Sequence, residues 1–138
     1  MKQTDKHRAL LIGCGELGSR HLQAISTLLS ICEVDIVDSR PGALDLGKQR
    51  LSEVKNRNPD IKFRWHTALE QAVRAGDICI VATQAEGRCD IVKRVVDEFD
   101  HRFFLLEKIV SQSIAAYGDL CDLAAKENRS MWVNCKTR

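Results

Sequence analysis

Hydrophobic and polar positions along this chain alternate between two periods. The run His7–Ile12 ends in four consecutive apolar residues, Ala9-Leu10-Leu11-Ile12, and predicts a first strand. Over 16–30 the period lengthens, with Leu22, Ile25 and Leu29 at three- and four-residue spacing, which predicts a helix. A second strand follows at 33–37. Pro41 suits the first turn of the next helix, where a missing N–H costs nothing, and that helix runs to about 56, before the turn at Asn58-Pro59. A third strand is predicted at 61–65, and Thr67 caps a brief helix to Ala75 that Gly76 closes. Residues 78–82 are continuously apolar, as a strand covered on both faces must be. A helix over 86–99, a strand over 103–106, a helix over 112–127 and a strand over 131–135 complete the series.

Six strands alternating with helices predict an α/β fold, a doubly wound parallel sheet in the order 3-2-1-4-5-6 with helices on both faces. The connections are too short for a second domain, so residues 1–138 read as one. A chain of 138 residues is long enough to bury about two thirds of its unfolded surface. Its 21 Lys and Arg are interspersed with 19 Asp and Glu and form no basic block, so no nucleic-acid partner is expected. No apolar run approaches the roughly 18 residues of a membrane span, and Met1 leads almost directly into the first strand without a signal peptide. The six cysteines, at 14, 32, 79, 89, 121 and 135, form no C-x-x-C pair. Reduced, mostly buried thiols in a cytoplasmic protein are the expectation, without disulfides or a metal site.

Ligands of such sheets lie beyond the carboxyl ends of the strands, which directs attention to 13–18, 38–40, 82–88, 107–109 and 134–138. The first of these, Gly13-Cys14-Gly15-Glu16-Leu17-Gly18, has the spacing G-x-G-x-x-G between a strand and a helix. In a dinucleotide site Gly13 permits the sharp turn, Gly15 lets a pyrophosphate approach backbone N–H groups, and Gly18 lets the helix pack on the strand. The phosphates face the helix N-terminus, where unpaired N–H groups and the helix dipole favour an anion. Asp38, twenty residues past Gly18 at the end of the second strand, is placed to accept from the adenosine ribose. A plain strand-to-helix turn and a surface turn at Asp38 are the bland alternatives. A methyltransferase loop is the nearer rival, but it packs its glycines closer and has an acid where this chain has Leu11. The reading is a Rossmann-type dinucleotide site. Asp38 repels a 2′-phosphate and favours NAD, whereas Ser39 and Arg40 beside it suit NADP, which stays as the alternative.

The glycine loop followed by Arg20-His21, the strand end Val81-Ala82-Thr83, and Glu107-Lys108 after Phe104-Leu105-Leu106 resemble the glucose-fructose oxidoreductase/inositol dehydrogenase/rhizopine-catabolism (Gfo/Idh/MocA) family along residues 7–138. The resemblance implies an N-terminal NAD(P)-binding domain whose α/β partner domain lies beyond Arg138. It implies oxidation or reduction of sugars, cyclitols and related compounds. Glu107-Lys108 matches the family's Glu-Lys-Pro motif, with the lysine near nicotinamide and substrate, and Thr83 matches a threonine close to the cofactor, between Ala82 and Gln84. The terminal segment 133–138 resembles the link to the second domain. The chain departs from the pattern at Ile109, where the family has proline, and at Gln84 and Arg88, where it has proline and histidine.

Lys108 is the candidate catalytic residue, an ammonium able to polarise a hydroxyl or carbonyl while hydride moves. A solvated lysine after a strand is its bland alternative. Glu107 is read as holding the loop or the cofactor ribose. His21 is given a packing role on the first helix, and His7, His66 and His101 have no partner at ligand spacing. Trp65 and Trp132 are read as packing residues. Three functions stay open: the nucleotide domain of an oxidoreductase with a sugar-like substrate, a non-catalytic dinucleotide-binding or regulatory module, and, least favoured, a methyltransferase. Homo-oligomerisation stays open too.

Overall fold

Alternate side chains of a strand point to opposite faces, so an uninterrupted apolar run calls for cover on both sides. The computed structural model, which describes residues 5–135, supplies that cover. In β1 (His7–Ile12), Leu10 and Ile12 face one way and Ala9 and Leu11 the other, all buried. The strands β2 (Ile31–Val37), β3 (Lys62–His66), β4 (Ile78–Val81), β5 (Phe103–Glu107) and β6 (Ser130–Asn134) join it in one parallel sheet ordered β3-β2-β1-β4-β5-β6. This is the predicted doubly wound sheet.

Two helices, α1 (Glu16–Ile25) and α2 (Pro41–Ser52), cover one face through Leu22, Ile25, Leu44 and Leu51, which pack with Leu11, Val34, Ile36 and Ile80. The opposite face is covered by α3 (Arg88–Glu98) and α4 (Ile114–Lys126), whose Val92, Val95, Val96 and Leu120 join Leu10, Ile12, Val81, Phe104 and Leu106. Each such side chain contributes about 1.5–3 kcal/mol by leaving water. The sheet is therefore sealed on both sides around β1 and β4, and the gap between the two helix layers opens above them.

Several boundaries differ from the sequence expectation. The first helix stops at Ile25 rather than 30, so Leu29 is exposed and not part of its core stripe. Ser26 and Thr27 bond back to the carbonyls of Gln23 and Ala24, and Asn58 takes the carbonyls of Ser26 and Leu28, drawing the chain off the helix axis towards β2. That strand starts two residues earlier than predicted, at buried Ile31. The second helix ends at Ser52, not 56. The brief helix of 67–75 shrinks to one 3-10 turn, Leu69–Gln71: the Gln71 side chain caps its start by accepting from the Thr67 and Ala68 N–H groups, but the chain is already extended at Ala72. The third helix begins at Arg88 after Gly87, whose φ of 74° breaks the helix expected from 86. At the fourth, the Ser113 hydroxyl accepts from Ala116 N–H and delays the start to Ile114.

Without an α-helix between β3 and β4, part of that sheet face is polar. Asp35 on β2 accepts a two-nitrogen fork from Arg64 at 3.0 and 2.8 Å and contacts His66 Nε2 at 2.6 Å. Burial alone would push the Asp35 carboxyl up, but Arg64 and His66 outweigh it and hold it below the usual range. The cysteines are free, and three of them (Cys14, Cys79 and Cys89) are buried, whereas Cys121 and Cys135 are exposed, fewer in the interior than expected. Met1 to Thr4, read as leading into the first strand, and Lys136, Thr137 and Arg138, read as part of a link to a second domain, lie outside the described residues. Among the described residues no helix is long and apolar enough to cross a membrane.

Candidate functional site

A strand that gives way to a helix within three residues needs a backbone that bends without a side chain in the way. Gly13 has φ 89°, and a Cβ there would lie 2.9 Å from the main chain of Ala82 and Thr83. Gly18 sits under it, where a Cβ would come to 1.8 Å from the Gly13 carbonyl oxygen. These two glycines let β1, β4 and α1 close on one another. Gly15 faces the open side, with only the Arg40 guanidinium nearby. The loop aims the first N–H groups of α1, which have no intrahelical acceptor, into a cleft of about 950 Å³ at the carboxyl ends of the strands. That volume is at the upper end of the range of about 300–1,000 Å³ for small-molecule sites.

The cleft is lined by Gly13, Gly15, Glu16, Leu17, Asp38, Ser39, Arg40, Ala82, Thr83, Gln84 and Lys108, so nearly all the residues singled out from the sequence converge on it. Leu17 is more than half exposed there, an apolar surface at the helix start. Glu16 instead directs its carboxylate to Arg50, at 2.5 Å. Three of the predicted residues do not line the cleft: Gly18, packed beneath Gly13, and Cys14 and Glu107. Cys14 turns its thiol away from it, buried against Gly47 and Trp65, and burial, with the Asp38 charge adding, pushes that thiol up to about 11. Its N–H donates to Asp38 Oδ2 at 2.9 Å, so this amide is already spent. Glu107 is buried on the α1 side, where its Oε1 meets His21 Nε2 at 2.5 Å and accepts from Asn134 at 2.8 Å. Burial would raise that carboxyl, but Asn134 and His21 outweigh it and hold it low. Glu107 thus ties α1, β5 and β6 together.

Asp38 is almost completely engaged. Its carboxylate accepts from Cys14 N–H, from Arg40 N–H at 2.9 Å, and from Arg40 Nε and Nη2 at 3.1 and 3.0 Å. Burial would push it up; the Arg40 fork and the two backbone donors prevail and keep it ionised below its ordinary range. Arg40 itself is two-thirds exposed and lies across the mouth of the site.

The far end of the cleft holds Thr83, Gln84 and Lys108 at the ends of β4 and β5, and the peptide between Lys108 and Ile109 is cis. Arg88 underlies this end with its guanidinium buried. Sequence reasoning noted Arg88 only as a departure and gave His21 a packing role, because the partners of both are carried by strands far along the chain. Thr67, Ala68, Leu69 and Glu70 also line the cleft and were missed. Their signal was available: they follow β3, and the carboxyl end of every strand in such a sheet faces the same side.

No sequence-family model and no curated protein sequence matches the chain. Solved structures do match it in fold. An oxidoreductase from Agrobacterium radiobacter, crystallised with NAD+, L-tartaric acid and magnesium, superposes with a TM-score of 0.74 at 14% identity, over 94% of this chain and 35% of its own. The WlbA dehydrogenase of Bordetella pertussis, in complex with NADH and UDP-GlcNAcA, gives 0.73 at 20% identity over 93% and 36%. The transcriptional regulator Gal80p of Kluyveromyces lactis gives 0.70 at 14% identity over 97% and 34%. The shared property is the fold. The chain spans about a third of the length of each of these structures.

Proposed function

We propose that this chain is the dinucleotide-binding domain of an NAD(P)-dependent oxidoreductase of Gfo/Idh/MocA type. The observation that carries the reading is the convergence, in one cleft, of the Gly13–Gly18 loop, Asp38 and Lys108. The residues fit a dinucleotide: Gly15 leaves an open approach to α1's unpaired N–H groups, and Asp38 and Arg40 stand where the adenosine ribose would lie. A bound nicotinamide would supply the hydride acceptor or donor. The α1 N-terminus holds the diphosphate, and Lys108 presents an ammonium that polarises the substrate's hydroxyl or carbonyl oxygen.

The substrate class, a sugar, cyclitol or related compound, is supported by the sequence resemblance and by the fold likeness to a dehydrogenase crystallised with UDP-GlcNAcA. Asp38 favours NAD, and Arg40, already poised on it, gives the site a cation for a 2′-phosphate, so NADP is the second cofactor. The complete reaction belongs to a longer protein, in which a second domain beyond Arg138 closes the cleft and excludes water. Residues 1–138 alone bind dinucleotide weakly and turn over no substrate. Calorimetric titration of the chain with NAD, NADP and S-adenosylmethionine tests this: saturable NAD binding that weakens in Asp38→Ala is expected. Tighter binding of S-adenosylmethionine, or substrate turnover by the chain alone, overturns it.

A non-catalytic, dinucleotide-sensing module is the second reading. The fold likeness to Gal80p and the departures at Gln84, Arg88 and Ile109 favour it. Coding sequence that continues past Arg138 into an α/β domain with an Asp and a His on one helix decides for the enzyme. A stop codon there decides for the sensor.

A further inference from the structure

Arginine is almost never fully buried unless paired, yet Arg88, the first residue of α3, is 2% exposed and, among the described residues, has no carboxylate on its guanidinium. Its partners are three main-chain carbonyls. Nη1 donates to Glu107 O at 2.5 Å and also to Ile109 O, and Nη2 donates to Thr83 O. Nε has no partner among the described residues.

The identity of those carbonyls gives the arrangement its meaning. Glu107 and Ile109 flank Lys108, so one nitrogen grips the chain on both sides of the residue that enters the cleft. The register of β4 with β5 closes at Val81 and Leu106, and all three Arg88 bonds lie beyond that last pair. Glu107 is still held in the sheet by its pairing with Asn134 of β6, whereas Thr83 and Ile109 lie past their strand ends, so the guanidinium ties the last residue of β5 to two segments that leave the sheet. Lys108 and Ile109 are themselves exposed, so no burial of their own side chains fixes the loop until Val110. A guanidinium suits the task, because its planar fork can reach several carbonyls at once and stays charged at any pH the protein meets.

We infer that Arg88 is a positioning residue, which fixes Lys108 in the cleft relative to the Thr83 strand end through the carbonyls of Thr83, Glu107 and Ile109. The inference rests on the proposed role of Lys108 beside the cofactor. Its test is arranged so that the two can fail separately.

Amide hydrogen exchange is measured on the full 138-residue chain, without ligand, for the original sequence, Arg88→Met and Arg88→Lys, each first shown to unfold cooperatively. Arg88→Met is expected to speed exchange at 107–110 by about tenfold while amides at 36–40 change by less than about twofold. Arg88→Lys, which keeps the charge and can reach one carbonyl, restores part of the protection. In parallel, lysines are reductively methylated with ¹³C and the Lys108 signal, assigned by Lys108→Arg, is followed as NAD is added. That signal moves with NAD in the original sequence, and its movement is lost in Arg88→Met. Unchanged exchange at 107–110, or an equal rise across the whole sheet, overturns the inference. A selective rise combined with a Lys108 signal indifferent to NAD overturns the placement of Lys108 at the cofactor, while the grip itself stands. Should Arg88→Met not fold, Arg88→Lys decides by the same two readouts.

Discussion

At the β1–α1–β2 end of the cleft, the Gly13 carbonyl fills the space a side chain on Gly18 would need, and Asp38 reaches back to the Cys14 N–H. At the β4–β5 end, the strand termini are joined by the guanidinium of Arg88. At the first end the close contact is main chain on main chain, Gly18 against Gly13 five residues away, to which Asp38 adds a bond to the Cys14 N–H across 24 residues. The second is held by one long side chain whose partners lie five, nineteen and twenty-one residues away. Close backbone packing tolerates no substitution, whereas a side-chain grip can be replaced by another residue that reaches the same carbonyls. The departures at Gln84, Arg88 and Ile109 all fall at the second end.

The sharpest way to break the comparison is Gly18→Ala. Its Cβ would overlap the Gly13 carbonyl, a backbone atom that cannot yield cheaply, so we expect a loss of about 4 kcal/mol in urea unfolding. A loss below about 1 kcal/mol would mean that the first end is softer than its contacts indicate.

Acid separates the two halves next. His101, in the second half, is buried, and burial lowers it from 6.5 to about 4. A histidine with a folded pKa below its unfolded one contributes fully above pH 6.5, and that contribution is lost as pH falls from 6.5 to about 4. The loss amounts to about 3 kcal/mol, at about 1.4 kcal/mol per unit. In the first half, Asp35 and Asp38 are depressed, so their contribution is present above the unfolded carboxylate value and falls away only as pH drops below it. Between pH 6.5 and 4.5, amides at 76–79 and 99–103 should therefore lose protection before those at 33–38, and His101→Leu should flatten the stability profile in that window. Simultaneous loosening of both regions counts against the contrast.

Cofactor titrations reach the first end directly. Asp38→Ala should weaken NAD by about tenfold, since a charge-assisted hydrogen bond to the ribose is lost. Arg40→Ala should act oppositely on the two cofactors, strengthening NAD by about threefold by freeing Asp38 and weakening NADP by at least as much. Equal effects on both would remove Arg40 from discrimination. The smallest effect is expected at Gly118 in α4, where a Cβ would meet nothing within 4 Å. There Gly118→Ala should stabilise the chain by about 0.5–1 kcal/mol, a control for the cost at Gly18.

The strand order was legible because it follows from strands alternating with helices, with short apolar runs such as 78–82 fitting strands covered on both faces. That the glycine loop and Asp38 meet at one cleft was legible for a related reason, since both belong to a single strand–helix–strand unit whose spacing sets where its turns fall. Helix ends were less so. The stop at Ile25 goes with Asn58, far along the chain, taking the carbonyls that follow it, and 67–75 keeps only one turn because the chain turns extended at Ala72.

By itself, then, the sequence determined the doubly wound sheet, the tight Gly13–Gly18 turn from strand to helix and the candidates gathered at the strand ends, because strand and helix periods and glycine geometry act over a handful of residues. Only the tertiary structure decided that Cys14 turns inward, that Asp38 is capped by Arg40, that Glu107 is shared by His21 and Asn134, and that Arg88 grips the loop of Lys108. Most of those contacts join residues brought together by neighbouring strands rather than by the chain itself. Which donor meets which acceptor depends on sheet register and on the space left by the helices, and no spacing along the sequence records either.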